Sequence, residues 1–357
     1  MKLQRVSIQK FMERNKKNTI LVTGGAGYIG SHTIIELLET TSFDIVSIDN
    51  YSNSNEGTYD RIKQITGKDV KHYNIDLCNY EETVKVFEIE TSIIGIIHFA
   101  AFKSVSESVE NPQKYYHNNI NSLLNVLECC LKFEIPNFIF SSSCSVYGNI
   151  TELPVKESTP FNKAESPYAY TKQVGEEIIK DYCKAYTQLN TISLRYFNPV
   201  GAHISGLNGE LPINKPSNLV PVITQTAIGK IKQMTVYGSD YKTRDGSCIR
   251  DYIHVTDIAI AHIKALNYLL ANNQKSNCSI FNLGSGNGVS VFEAIKSFEK
   301  ISGIKPNYIL GNRRAGDVEA IYSQTDLSKK ELNWEAKITL DEMMETAWKW
   351  ENNLKKQ

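Results

Sequence analysis

Residues 19–30, TILVTGGAGYIG, constrain the fold more than any other stretch of the chain. A short β-branched and apolar run stops at glycine, and a helical pattern starts directly after it. Ile29, Ile34, Leu37 and Leu38 recur there at helix spacing. Gly24, Gly27 and Gly30 satisfy G-x-x-G-x-x-G, and the same turn satisfies G-x-G-x-x-G from Gly25. Glycine at these places permits a tight turn, lets the backbone approach a pyrophosphate and lets the helix pack closely on its strand. The helix start, at Tyr28 and Ile29, then offers unpaired amides to an anion. Asp49 closes the next apolar run, FDIVSID, roughly 20 residues on, where a carboxylate binds a ribose 2′-hydroxyl and repels a 2′-phosphate. The unit predicts a dinucleotide site that prefers NAD to NADP.

The same alternation continues. VKHYNID, IIGIIHFA, FIFSSS and TISLRYF read as further strands separated by amphipathic stretches. Strand, helix, strand in this order predicts an α/β protein: a Rossmann-type doubly wound parallel sheet with ligands beyond the carboxyl ends of its strands. After Asn198 the pattern breaks. Pro199, Pro212, Pro216 and Pro221 with Gly201, Gly206 and Gly209 make a long irregular stretch, and loops of that length are usually functional. Ordered α/β pattern then returns. The expected division is 19–198 as a dinucleotide-binding domain and 199–357 mainly as a second, smaller lobe. The chain around 250–275 is expected to pass back to the first domain.

Charge narrows the ligands. The 357 residues carry 39 Lys and Arg against 39 Asp and Glu. No bulk cationic field exists to hold nucleic acid, so any anion must be met by placed donors. No apolar run reaches the roughly 18–20 residues of a membrane span. Seven cysteines, an odd number without C-x-x-C spacing, read as reduced thiols of a cytoplasmic protein, and no metal site is expected. Residues 1–18 are a basic outlier, with six Lys and Arg facing only Glu13. They lack the apolar core of a secretory signal and read as a loose extension.

Chemistry enters at Ser166-Pro167-Tyr168-Ala169-Tyr170-Thr171-Lys172. Tyr168 and Lys172, four apart, share a helical face. A tyrosine must ionise to act as a base, and its ordinary pKa is about 10. A neighbouring ammonium and a cationic nicotinamide favour the phenolate, which makes Tyr168 the expected acid/base. Ser143, at the end of the strand FIFSSS, is the hydroxyl expected to relay a proton between substrate and Tyr168.

These motifs, TGGAGYIG, Tyr168–Lys172 and SSSCSVYG, resemble the extended short-chain dehydrogenase/reductase superfamily. LRYFNPVGAH from Leu194, RDYIHV from Arg250, RRAGD from Arg313 and ELNW from Glu331 narrow the resemblance to the UDP-glucose 4-epimerase family, from about Thr19 to about Trp350. It implies an isomerase of galactose metabolism that interconverts UDP-galactose and UDP-glucose through a 4-keto sugar with tightly bound NAD. It also implies a homodimer formed through helices at about 101–131 and 166–188. Lys172 would bind the nicotinamide ribose, and Ser143 would bridge the sugar 4-hydroxyl. Asp49, Asn50, Asn53 and Ser54 match adenosine-ribose contacts, and Asp76 and Leu77 match adenine contacts. Phe99, Ala100, Ala101 and Lys103 match the turn beside the cofactor pyrophosphate, and Asn118 and Phe197 match other cofactor positions. Asn198, Asn218 and Leu219 match substrate contacts, and Thr235, Val236 and Tyr237 match a strand holding uracil. Arg250 and Arg314 match the pair that neutralises the UDP phosphates; Asp317 matches a uridine-ribose contact.

Related nucleotide-sugar dehydratases carry an Asp-Glu pair before Val-Tyr-Gly. Here Cys144 and Ser145 stand there, so elimination lacks its acid and base. The position that gates N-acetyl sugars in the family matches Ile321. Its intermediate size implies mainly UDP-glucose and UDP-galactose activity with weak N-acetyl activity. The alternatives are a 4-epimerase of UDP-N-acetylglucosamine, UDP-glucuronate or a UDP-pentose, and a non-catalytic NAD/UDP-sugar-binding protein.

Overall fold

The computed structural model describes residues 18–211, 213, 216, 218–314 and 317–355. The basic extension, apart from Asn18, lies outside the described residues, as do Pro212 and the Ala315-Gly316 pair of the RRAGD motif.

Six strands come in the order of the sequence reading: β1 (Thr19–Thr23), β2 (Asp44–Ile48), β3 (Lys71–Tyr73), β4 (Ile93–His98), β5 (Asn137–Ser143) and β6 (Asn190–Tyr196). With β10 (Cys278–Leu283) they make a seven-stranded sheet in the order β10-β6-β5-β4-β1-β2-β3, every pair parallel. The order reverses between β1 and β4, the crevice where such sheets bind ligands. The central strands are continuous apolar runs because helices cover both faces. On one face α1 (Tyr28–Thr40), α2 (Thr58–Thr66) and α8 (Val255–Leu270) bury one core. On the other, α3 (Tyr80–Ile89), α5 (Pro112–Lys132) and α6 (Pro167–Ala185) bury a second.

The return to the first sheet runs further than residue 275. Most of α8 is buried, its apolar side against α1, and the chain then supplies β10 as the sheet's edge strand, ending at Leu283. Burial requires this: a helix with apolar residues over most of its circumference needs partners on several sides. The smaller lobe collects α7 (Leu219–Ala227), α9 (Val291–Ser302) and α11 (Leu340–Leu354) on a third core. Its strands β7 (Asn198–Val200), β9 (Ile249–His254), β11 (Gly288–Ser290) and β13 (Ala320–Ile321) form a four-stranded sheet. β8 (Met234–Tyr237) pairs with β12 (Tyr308–Gly311). Asp251, fully buried, ties this lobe together by accepting from the Ser285 and Ser323 amides and hydroxyls and from the Gly286 amide.

His98, His254 and His262 are core groups. Burial pushes them down to about 3, about 4 and about 4, so each is neutral near neutral pH. Among the described residues, no helix is long and apolar enough to cross a membrane.

Candidate active site

One cavity of about 1640 Å³ runs along the carboxyl ends of the large sheet and on between the lobes. The glycine turn forms one end. Gly24 has φ +70°, and a Cβ there would lie 2.7 Å from the Ala100 amide nitrogen. A Cβ on Gly30 would lie 2.3 Å from the Gly24 carbonyl oxygen. Only glycine fits both places. Gly27 caps α1 with no side chain, and the first turn holds no acidic residue. The positive end of the helix dipole therefore lacks an acidic side chain in its own first turn, the arrangement an anion requires.

Asp49 fixes this end. Its Oδ2 accepts from the Ala26 amide at 3.0 Å, and its Oδ1 accepts from the Tyr51 amide at 2.9 Å and the Ser54 hydroxyl at 2.7 Å. Burial raises its pKa and these three donors lower it. Tyr28, Ile29, Asn50, Asn53, Asp76, Leu77, Phe99, Ala100, Ala101, Lys103 and Asn118 line the same end, together with Ser54 and Gly27. A glycine cradle, an uncapped helix start and a carboxylate at the end of β2 fit NAD.

The middle of the cavity holds Ser143, Tyr168 and Lys172. Helix α6 begins on a Ser-Pro start, the Ser166 hydroxyl accepting from the Ala169 amide at 3.2 Å. That start sets the register that turns Tyr168 and Lys172 towards the end of β5. Ser143 Oγ accepts from the Ser145 hydroxyl at 3.0 Å. Lys172 Nζ lies 6.0 Å from the Tyr168 ring centroid and donates to the Ser141 carbonyl at 2.6 Å. Burial pushes Tyr168 up to about 12, with the Ser143 side chain pulling it back. Burial pulls Lys172 down to about 7 against the raising effect of Glu176. In the chain alone burial dominates both values.

At the far end Arg250, Arg314, Asp317, Phe197, Asn198, Asn218 and Ile321 line the cavity. Arg250 donates to the Ile249 carbonyl at 2.9 Å and pairs with Asp317 at 3.5 Å. Arg314 lies over the Tyr237 ring at 4.5 Å. Its neighbour Arg313 turns away to Asp240 and stacks on Tyr241. Leu219, Thr235, Val236 and Tyr237 are not brought into the lining. Val236 is buried in the small lobe's core, which leaves only its backbone to offer a ligand.

Sequence reasoning missed Tyr196, Arg61 and Glu210, all of which line the cavity. Tyr196 donates to the Ser141 hydroxyl from the end of β6. Glu210 Oε1 accepts from Lys103 Nζ at 2.8 Å and from Asn218 Nδ2 at 3.0 Å. Only the strand-end position of Tyr196 carried a signal; the other two belong to no motif.

A family model described as GDP-mannose 4,6 dehydratase matches residues 21–347. The cavity does not carry the acidic pair expected for elimination. Cys144 and Ser145 occupy that place, and burial pushes the Cys144 thiol up to about 12. The UDP-glucose 4-epimerase of Pasteurella multocida is 47% identical over 93% of this chain and 97% of its own. That of Bacillus subtilis is 45% identical over 94% and 97%. The crystal structure of the UDP-glucose 4-epimerase of Bifidobacterium longum in complex with NAD+ and UDP superposes with a TM-score of 0.90. It is 43% identical, covering 94% of this chain and 98% of that one. At this level of identity over nearly its whole length, the chain belongs to the UDP-glucose 4-epimerase family.

Proposed function

We propose that this protein interconverts UDP-galactose and UDP-glucose through a 4-keto sugar, with NAD as a resident cofactor. The observation that carries the reading is a single cavity with an anion-binding glycine turn at one end, two arginines at the other and Tyr168, Ser143 and Lys172 between them. Residues 19–198 would hold the cofactor, and 199–357 mainly the UDP-sugar. When bound, NAD supplies a hydride acceptor and donor and a positive charge that favours the Tyr168 phenolate. Gly24, Gly27, Gly30 and the α1 amides hold its pyrophosphate, and Asp49 its adenosine ribose.

Tyr168 takes the proton of the sugar 4-hydroxyl and later returns it. Ser143 orients that oxygen through a hydroxyl already aligned by Ser145. Lys172, anchored on the Ser141 carbonyl, binds the nicotinamide ribose. Arg250 and Arg314 grip the substrate diphosphate, a task suited to the planar guanidinium fork. Net charge is not needed for either diphosphate, since each is met by local donors.

A homodimer and a cytoplasmic location belong to the same proposal. The dimer reading is supported by exposed apolar side chains on α4 (Val105–Glu110), α5 and α6: Val105, Val109, Tyr116 and Tyr170. The location reading is supported by seven free cysteines. The test of activity is incubation with UDP-galactose and chromatographic separation of the products. UDP-glucose should appear with the natural chain and fall by two or more orders of magnitude with Tyr168→Phe. Equal turnover by the variant would refute the assignment.

A further inference from the structure

The segment 201–210, which follows β7, is pinned from both sides. Tyr28 donates to the Gly201 carbonyl at 2.6 Å, and Asn208 Nδ2 donates to the Ser31 hydroxyl at 2.9 Å, which fixes the segment to the start of α1. Lys349 Nζ donates to the Ile204 carbonyl, Asn353 Nδ2 to the Gly206 carbonyl and Trp350 Nε1 to the Glu210 carbonyl, which fixes it to the end of α11. Gly209 lets the backbone pass the indole, since a Cβ there would lie 2.5 Å from Trp350 Cδ1. The Arg61 guanidinium of α2 lies over the same indole, 5.8 Å from the Trp350 ring centroid.

A segment held this way delivers the Glu210 side chain in one direction. Its carboxylate meets Lys103, 107 residues away on the turn after β4, and Asn218 at the start of α7. Both Glu210 and Lys103 line the cavity beside Tyr28 and the glycine turn. The ammonium also lies 5.5 Å from the Tyr28 ring centroid. One carboxylate oxygen thus joins the wall beside the dinucleotide cradle to the lobe that carries the arginines.

We propose that Glu210 is a clasp that retains the dinucleotide: its ion pair with Lys103 closes the cavity wall beside the pyrophosphate cradle, and the cofactor leaves only when that pair opens. The inference rests on the reading of this cavity as an NAD site. It assigns Lys103 to Glu210 rather than to a phosphate alone, and the two roles make different predictions. For a lysine that serves only a phosphate, the effects of Lys103→Met and Glu210→Gln multiply; for a clasp they do not.

The test is exchange of bound NAD for isotopically labelled NAD in the purified holoenzyme, followed by rapid filtration. Glu210→Gln should speed exchange about fivefold, the scale of a half-exposed ion pair. The double variant Lys103→Met with Glu210→Gln should exchange more slowly than the product of the two single effects, because both changes remove the same pair. Raising the ionic strength should speed exchange in the natural chain, a readout that needs no variant to fold. Exchange that is unchanged in Glu210→Gln, or insensitive to salt, or for which the two single effects multiply in the double variant, overturns the clasp while leaving the cofactor reading intact. A natural chain that purifies without any nucleotide and takes up none overturns the cofactor reading and the clasp with it.

Discussion

Glu176→Gln should destabilise this protein far more than the loss of any surface ion pair. Glu176 sits one turn beyond Lys172 on α6, with its side chain 1% exposed, and it pairs with Arg195, 2% exposed. Arg195 Nε and Nη2 donate to its two oxygens at 2.8 and 2.6 Å, and the Ser142 hydroxyl donates at 2.5 Å. Glutamine keeps one acceptor but sets an NH2 group against a guanidinium N–H and leaves the arginine charge buried and unpaired. Breaking a buried pair from one side costs about 3–5 kcal/mol. In a chain of this size that lowers Tm by roughly 4–7 °C.

The comparison is Lys184→Met, whose partner Asp181 lies at 3.0 Å with both side chains about three-quarters exposed. That change should move Tm by less than about 1 °C. Removing Glu176 also removes the anion that raises Lys172, so the lysine loses its proton at a lower pH. The alkaline limb of kcat/KM should therefore move to lower pH in Glu176→Gln. Both quantities can be read on one preparation, by scanning calorimetry and a pH series. If Glu176→Gln melts within about 2 °C of the natural chain, the energetic account of this buried pair is wrong.

Other expectations follow from single contacts. Gly30→Ala should purify with less than about a tenth of the NAD of the natural chain, because its Cβ would lie 2.3 Å from a backbone oxygen of the turn; full nucleotide content would contradict this. Ile321, buried beside Phe197 and Tyr147 and lining the cavity, limits room at the sugar end. Ile321→Gly should raise kcat/KM for UDP-N-acetylglucosamine about tenfold relative to UDP-glucose, a ratio measured by competition. His32, held at about 3, joins His98, His254 and His262 as histidines that are neutral when folded and titrate at about 6.5 when unfolded. The unfolded chain then binds more protons below pH 6.5, so stability is full above that value and is lost as pH falls towards about 4. Each histidine adds up to about 1.4 kcal/mol per pH unit to the slope. His262→Phe should flatten the fall of Tm with acid, as calorimetry between pH 6.5 and 4.5 would show.

The sequence was most legible where local pattern and chemistry coincide. The glycine turn, Asp49, the Ser-Pro start that registers Tyr168 and Lys172, and the six strands through β6 are each written in a dozen consecutive residues. The return of α8 and β10 to the large sheet was harder to bound, because burial on several sides leaves no clean periodicity to mark which lobe a helix joins. Glu210 was invisible. Its meaning depends on a lysine 107 positions earlier, and no spacing rule connects them. The burial of Tyr168 was hidden for a related reason: adjacency to Lys172 on a helix is visible in sequence, whereas the burial that raises the phenol is a property of the folded cavity.

In the proposed reaction hydride leaves the sugar C4 and returns to it within one protein molecule. The direct measurement uses UDP-galactose deuterated at C4, incubated with purified protein and no added NAD. UDP-glucose should keep the label at C4, with no loss to solvent and no net reduction of nucleotide at the end. Label lost to water, or product formed only as added NAD is consumed, would contradict it.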